Sequence, residues 1–478
     1  MCNKWHHILL IAILLSVNTV LIAQNGNNVL RFEDYIQNIV SFHPVAMQAN
    51  LKLETGNAQL LRAKGGFDPS LKSDWSEKNF DQKLYYRQYQ TKLRIPTPLG
   101  IDIVGGYENY QGVYLNPEHT IKPNGLWHLG LELDVLQGLV VNERKTTLKI
   151  AREFKNLVKN EQAQQLNDLL INAISAYLQW QLCSHIDSVL FENLELSKTY
   201  HDNTVQSFLG GEKTAIDTLE AHILIQDALM ARQKNTMDLI KARYNVENYL
   251  WYDSQPITLQ MNTCPESYSS SLLIKKSYSH LPSNSIDNNP YIQASINKLT
   301  IAEIEQRLKL EKLKPKLKLK VNPLLYTTGN EALPIYNADN IAFGASFSMP
   351  LYLRAERAEV QQGKIKIKEI KLDIENKRNE LSNKIENSEK QLSLLRNQVT
   401  LLTENVSNYK KLLDAENEKF NFGESSVFLL NKRQEKFIST KLKLIETYYK
   451  QQTEGLNYLY YNNQLINPSV GVGTNTSN

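Results

Sequence analysis

The chain has 478 residues, 42% of them apolar, and a formal net charge of +4. So small a charge, with Lys and Glu interspersed along the helical stretches, gives no case for a nucleic-acid partner. After the N-terminal segment no apolar run approaches the roughly 18 residues of a membrane helix, so a membrane-embedded form of this chain must cross as strands.

In chain order, Lys4, an apolar run from Ile8 to Val17 and Ala23 before Gln24 predict a secretory signal over residues 1–23. Cys2 precedes the apolar run and so is no lipoprotein acylation site. Removal of the segment leaves Cys183, in the middle of a helical stretch, and Cys264, in a loop, and the two are expected to be unpaired. Residues 24–70 hold the N-terminal helices: Phe32, Tyr35, Ile36, Ile39 and Val40 outline one, Pro44 interrupts it, and a second ends at Gly65-Gly66.

From Leu71 the period changes. Residues 71–136 form a first β region, where Leu129, Leu131, Leu133 and Val135 alternate with Gly130, Glu132 and Asp134. Two further candidate strands, Tyr85 to Ile95 and Ile101 to Tyr110, are joined by Pro96-Thr-Pro-Leu-Gly100. A soluble sheet would give the same alternation, but aromatic residues such as Trp75, Tyr89, Tyr107, Trp127, Tyr326 and Tyr336 lie near segment ends, as lipid-facing strands require. Only part of this region is expected to span a membrane, the rest being a loop extension.

Residues 137–251 read as a long and a shorter helix. Leu166, Leu170, Ala173, Tyr177, Trp180, Phe191, Leu194, Val205 and Phe208 follow a three-four rhythm up to a break at Phe208-Leu-Gly210-Gly211-Glu212, and the shorter helix runs from Thr214 to about Trp251. Residues 252–289, rich in Ser, Asn and Pro, read as a linker. A helix over 290–314 and a second β hairpin over 315–352 follow, with Leu317, Leu319 and Val321 alternating with Lys316, Lys318 and Lys320. Residues 353–463 repeat the long-and-short pair. Their seam comprises Ile374, Leu381, Ile385, Leu392, Leu395, Val399, Leu402, Val406, Tyr409 and Leu413, and the break is Phe420-Asn-Phe422-Gly423-Glu424. Roughly 70 helical residues make a rod of about 100 Å, which needs another rod beside it. Residues 464–478 read as a disordered tail.

The two halves are a duplication. His43-Pro44 is followed 25 residues later by Pro69, and Asn289-Pro290 is followed 25 residues later by Pro315, an offset of 246. The paired breaks are offset by 212, so the first half carries 34 more residues before its break.

No catalytic constellation stands out. His43, His119, His128, His185, His201, His222 and His280 show no HExxH pattern and no repeated ligand spacing, and Cys183-x-His185 reads as packing and surface. No enzyme, cofactor or metal is expected.

The duplicated proline openings, the strand hairpins, the rod-length helices and the paired Phe-x-x-Gly breaks resemble the TolC-like outer-membrane efflux proteins over nearly the whole mature chain. The resemblance implies a mainly α fold with membrane β-strands: duplicated long antiparallel helical hairpins, coiled-coil-like, forming an α-barrel tunnel through the periplasm. Three copies close one 12-stranded barrel in the outer membrane of a Gram-negative-type cell, four strands from each. Six candidate strands are counted here, two more than that. It implies a passive export duct, a homotrimer in outer-membrane lipid, served by a periplasmic adaptor and an inner-membrane transporter. Independently, four strands in one chain leave open edges that lipid cannot satisfy, which favours an oligomer.

On this resemblance the turns Gly210-Gly211-Glu212 and Phe422-Gly423-Glu424 would form the periplasmic entrance and dock the adaptor; the same glycines serve equally as helix stops. Asp217 fits an acidic gate position, and an ordinary surface acid fits it as well. In the second half Leu429 and Lys432 stand where acids would be. Lys316, Lys318 and Lys320, with Glu132 and Asp134 on the partner segment, would line the lumen. The alternative class is a periplasmic coiled-coil adaptor or tether without a pore, which would not need strand hairpins with an apolar outer face.

Overall fold

The computed structural model describes residues 29–119, 121, 124–267, 286–327 and 334–465. The expected signal peptide, the expected disordered tail after Leu465, and residues 268–285 of the Ser-rich linker, His280 among them, lie outside these residues. The chain forms helices α1 (Phe32–Phe42) and α2 (Pro44–Gly65), then strands β1 (Ser70–Phe80), β2 (Lys83–Pro96), β3 (Ile101–Gln111) and β4 (Leu126–Asp134). Helices α3 (Glu143–Leu209), α4 (Ala215–Glu247) and α5 (Pro290–Glu311) follow. Strands β5 (Lys316–Tyr326) and β6 (Ile335–Ser348) come next, before helices α6 (Arg354–Asn421) and α7 (Val427–Tyr461). Among the described residues no helix is long and apolar enough to cross a membrane.

The chain divides into two compact units, with α2, α3 and α6 contributing to both. One contains α1, α4, α7 and the parts of α3 and α6 that lead to the glycine breaks. Its core follows the three-four rhythm. Leu166, Leu170, Ala173, Tyr177, Trp180 and Leu194 of α3 are buried, and every residue of the α6 stretch of the seam from Ile385 to Leu413 is buried or half-buried. Val189 packs with Ile438, Ile445 and Tyr449 of α7, and Tyr200 with Leu413 and Leu430. Two residues depart from the rhythm. Phe191 and Phe208 are exposed; the Arg232 guanidinium of α4 sits 4.9 Å from the Phe191 ring, so a cation covers that ring in place of an apolar neighbour.

The linker is partly ordered. Trp251–Tyr252 pairs with Gln255–Pro256 through a turn with positive φ at Asp253 and Ser254, so the helix before it stops at Glu247, short of the expected Trp251. Cys264–Pro265 pairs in parallel with Val29–Leu30. Tyr177 joins these pieces: its hydroxyl donates to the Leu30 carbonyl (2.7 Å) and accepts from the Glu266 N–H (3.0 Å), while its ring stacks on Tyr35 at 5.2 Å. Cys183 is buried, Cys264 is exposed, and both are free thiols.

The duplicated proline openings share one capping device. Asn289 Oδ1 accepts the Tyr291 N–H at 3.0 Å with Pro290 at the first helical position, and His43 Nδ1 accepts the Val45 N–H at 3.2 Å with Pro44 in the same place. His43 is buried against Tyr249 and Trp251. Burial lowers its pKa, opposed by a hydrogen bond to the Asn248 backbone. A base whose folded pKa is lowered binds fewer protons folded than unfolded. Its contribution is therefore complete above the unfolded value of about 6.5 and is lost as pH falls from there through the folded value. His43→Asn, which copies the second half, is expected to flatten the fall in thermal stability as pH drops below about 6.5. An unchanged pH profile on thermal scans would count against this role.

The other unit contains the six-stranded antiparallel sheet, in the order β6-β5-β4-β3-β2-β1, with α5 and the remaining parts of α2, α3 and α6. All six expected strands belong to this one sheet. The two halves meet where β4 pairs with β5, nearly 200 residues apart in sequence, in a register that sets Leu131 opposite Val321 and Leu133 opposite Leu319.

Candidate docking turns and pore-facing sheet

Both glycine breaks end their helix by the same hydrogen bonds. The Gly211 N–H donates to the Phe208 carbonyl (3.0 Å) and the Glu212 N–H to Ser207 (2.9 Å). The Gly423 N–H likewise donates to Phe420 (3.1 Å) and the Glu424 N–H to Lys419 (2.9 Å). This is a Schellman ending, and it requires left-handed backbone at the glycine, observed as φ +80° at Gly211 and +76° at Gly423. A Cβ at either glycine would meet nothing within 4 Å, so conformation alone demands glycine there. The turns are neighbours: the Lys213 ammonium lies 4.6 Å from the Phe420 ring centre. Around them Leu209, Ile216, Leu219, Phe422 and Phe428 are exposed. Gly210 precedes the left-handed residue and keeps a helical bond to Gln206.

Asp217 lies in a capping box. Its Oδ2 accepts from the Thr214 N–H (2.9 Å) and hydroxyl (2.8 Å), and its own N–H is directed at the Thr214 oxygen at 3.4 Å. These bonds, from the backbone first, lower its pKa, so it is anionic at neutral pH. The Thr-x-x-Asp spacing announces this box in the sequence. The second turn has no acid at the matching place, since Ser426 Oγ caps Leu429 alone. Its acid comes from the preceding helix: Glu416 accepts from the Ser425 hydroxyl at 2.6 Å, and Arg433 lies 3.5 Å away. The Ser425 bond and then Arg433 lower the pKa of Glu416. No spacing in the sequence signals this contact, because Glu416 lies on α6, Ser425 in the turn and Arg433 on α7.

The sheet has two chemically distinct faces. On one, Leu93, Ile103, Leu129, Leu131, Val321 and Phe343 are exposed. A row across the strands carries Tyr107 opposite Trp127, their rings 4.7 Å apart, with Trp127 opposite Leu325 and Leu325 opposite Tyr336. The other face is charged. The register sets Glu132 opposite Lys320 and Asp134 opposite Lys318, while Lys316 faces Ser348. Thus four of the five residues expected to line the lumen meet in two opposite-charge pairs across β4 and β5, and Lys316 stands beside a small residue.

Four residues not singled out in the sequence complete this face. Lys92 donates to Glu132 (2.8 Å), Arg94 donates to Asp102 (2.7 Å) and lies 3.6 Å from Glu132, and Arg144 of α3 donates to Asp102 (2.8 Å). Asp102 and Glu132 are both 6% exposed, so their charges are held by these cations. Alternation in β2 does put Lys92 and Arg94 on one face. Their partners depend on strand order, which no single strand discloses. Close packing is permitted by Gly106 and Gly130, where a Cβ would overlap the His128 ring and the Val321 carbonyl respectively.

Residues 281–457 match the outer membrane efflux protein family model. No curated protein matches the chain. Several solved structures do. CusC, described with its transmembrane channel formation, is 14% identical with TM-score 0.65, over 92% of this chain and 95% of that one. The outer membrane channel CmeC of Campylobacter jejuni is 12% identical with TM-score 0.61, over 95% and 93%. The open state of the MtrE outer membrane channel of Neisseria gonorrhoeae is 14% identical with TM-score 0.60, over 93% and 90%. Residues 281–457 are therefore similar to the outer membrane efflux protein family, and the chain as a whole has the fold of outer-membrane channels such as CusC and CmeC.

Proposed function

We propose that this chain is a passive export duct of an outer membrane, working as a homotrimer with a periplasmic adaptor and an inner-membrane transporter that supplies the energy. The observation that carries this reading is the two-faced sheet. Its apolar face with an aromatic row suits lipid, and its charged face, with acids and cations paired across strands, suits a water-filled lumen. Lys316, Lys318, Lys320, Glu132 and Asp134 would then be lumen residues.

A second copy is supported by an apolar stripe on α4. Ile216, Ile223, Met230, Met237 and Tyr244 recur every seven residues and are all exposed. Such a stripe is a coiled-coil seam without its partner, as an inter-subunit helix contact would need. The exposed apolar tips at Gly210-Gly211-Glu212 and Phe422-Gly423-Glu424 would receive the adaptor. Asp217, anionic and beside the first turn, would set the charge of the entrance.

The test is the fractionation and native mass of the full chain expressed with its N-terminal segment. The expected result is a detergent-extracted, heat-modifiable trimer in outer membranes that conducts ions across planar bilayers, with an Asp217→Asn variant altering cation preference. A soluble monomer or dimer would sink the duct and leave a coiled-coil tether.

A further inference from the structure

We propose that all six strands cross the membrane and that copies join through β1 of one and β6 of the next, so that three copies close a barrel of 18 strands. This rests on the outer-membrane reading above and departs from four strands per copy.

The first support is strand length. The six strands run to 11, 14, 11, 9, 11 and 14 residues, and about 9–11 residues suffice to cross the hydrocarbon when tilted.

The second is continuity of the apolar face. The row that carries Tyr107 and Trp127 extends outward through Thr91 to Ser73, whose hydroxyls bond each other at 3.0 Å. The adjoining row runs Leu129–Gly105–Leu93–Leu71, and Trp75 stands opposite Tyr89 at the aromatic level. The face a bilayer would cover thus does not stop at β3. It reaches β1 with its hydroxyls already satisfied.

The third is occupancy. A four-stranded contribution would have to close through β3, but β3 is paired on both sides: to β4 from Ile101↔Leu133 to Glu108↔Leu126, and to β2 from Arg87↔Gln111 to Pro96↔Asp102. Among the described residues the unpaired strand edges of this sheet are those of β1 and β6. Lipid offers no partner for the backbone groups of either, so they must pair.

The fourth is parity and fit. Six consecutive antiparallel strands leave β1 and β6 running in opposite directions, so one copy's β1 meets the next copy's β6 antiparallel and the ring closes without a mismatch. On the lumen side β1 offers Lys72, Asp74 and Lys78, and β6 offers Gly344, Ser346 and Ser348. Long charged chains therefore meet small ones, and like charges do not confront each other. Because barrel diameter grows roughly linearly with strand number, the result is about half as wide again as a 12-stranded barrel.

The test uses the full chain in outer membranes, with Cys264→Ser removing the exposed thiol. Leu71→Cys and Ser73→Cys are each combined with Ile341→Cys, Phe343→Cys or Ala345→Cys and oxidised. At least one combination is expected to give covalent dimers and trimers on denaturing gels, while Ile103→Cys with the same β6 cysteines gives none. An outer-membrane oligomer linked through Ile103, or silent at every β1 position, overturns the proposal alone. A soluble protein overturns it together with the duct. As an independent readout, a fluorophore on Trp75→Cys in reconstituted vesicles is expected to be quenched by spin-labelled lipid; absence of quenching overturns a membrane-spanning β1.

Discussion

Tyr177→Ala is expected to lower the heat-dissociation midpoint of the protein by about 10 °C or more, through a loss of about 3–5 kcal/mol. The side chain is wholly buried and is the centre of an aromatic group, stacked on Tyr35 with Phe32 (5.3 Å) and Trp180 (6.0 Å) edge-on. Truncation leaves a cavity that three rings cannot all collapse into. It also removes the hydroxyl that bridges the Leu30 carbonyl and the Glu266 N–H, which are then left with only their direct bond to each other at 3.2 Å. Burial raises the phenol pKa of both Tyr177 and Tyr35, so both hydroxyls stay protonated donors across the physiological range. Tyr177→Phe removes only the hydroxyl and is expected to cost about 1–2 kcal/mol. Gel-shift melting of the two variants separates the terms. Equal losses would show that ring packing contributes little and the bridging hydroxyl contributes most.

The second large effect is expected at the glycine turns. Gly211→Val combined with Gly423→Val should cut export at least about tenfold while membrane assembly continues. Both positions hold left-handed backbone, which costs an ordinary L-residue about 1–2 kcal/mol and a β-branched one more. Two such strains suffice to disfavour the native turn pair by a factor of ten or more. Open space around each missing Cβ means that bulk is not the objection. Gly211→Asn with Gly423→Asn should therefore keep most of the export, since asparagine tolerates this conformation. Efflux assays alongside trimer gels decide the matter. Valine variants that export normally would show that the turns act only as helix stops.

Much of this architecture is legible in the sequence because its signals are local. The seam from Ile385 to Leu413 is a periodicity carried by one helix, and Gly211 and Gly423 meet a requirement of one backbone conformation. Alternation likewise gave both faces of β4 and β5 before their register was known. What stayed hidden needed contacts between distant segments. Strand order is one case: nothing in β3 alone says that β2 occupies its second edge. The Arg94–Asp102–Arg144 cluster is another, because it joins two strands and a helix through charges that are ordinary one at a time. Phe191 misled for a related reason. Its spacing fits the seam, yet the neighbour that covers it is Arg232, and a cation on a ring has no hydrophobic signature.

The twin Schellman endings bear on how a partner would count this protein. Their hydrogen bonds are the same, but their side chains differ: Leu209-Gly210 before one glycine, Asn421-Phe422 before the other, and a capping acid beside the first alone. In a ring of three copies the backbone repeats six times, while the side-chain chemistry repeats three times. A ligand that grips main-chain groups meets six near-equivalent seats. One that recognises Asp217 or Phe422 meets two alternating sets of three, so its stoichiometry reports which language it reads.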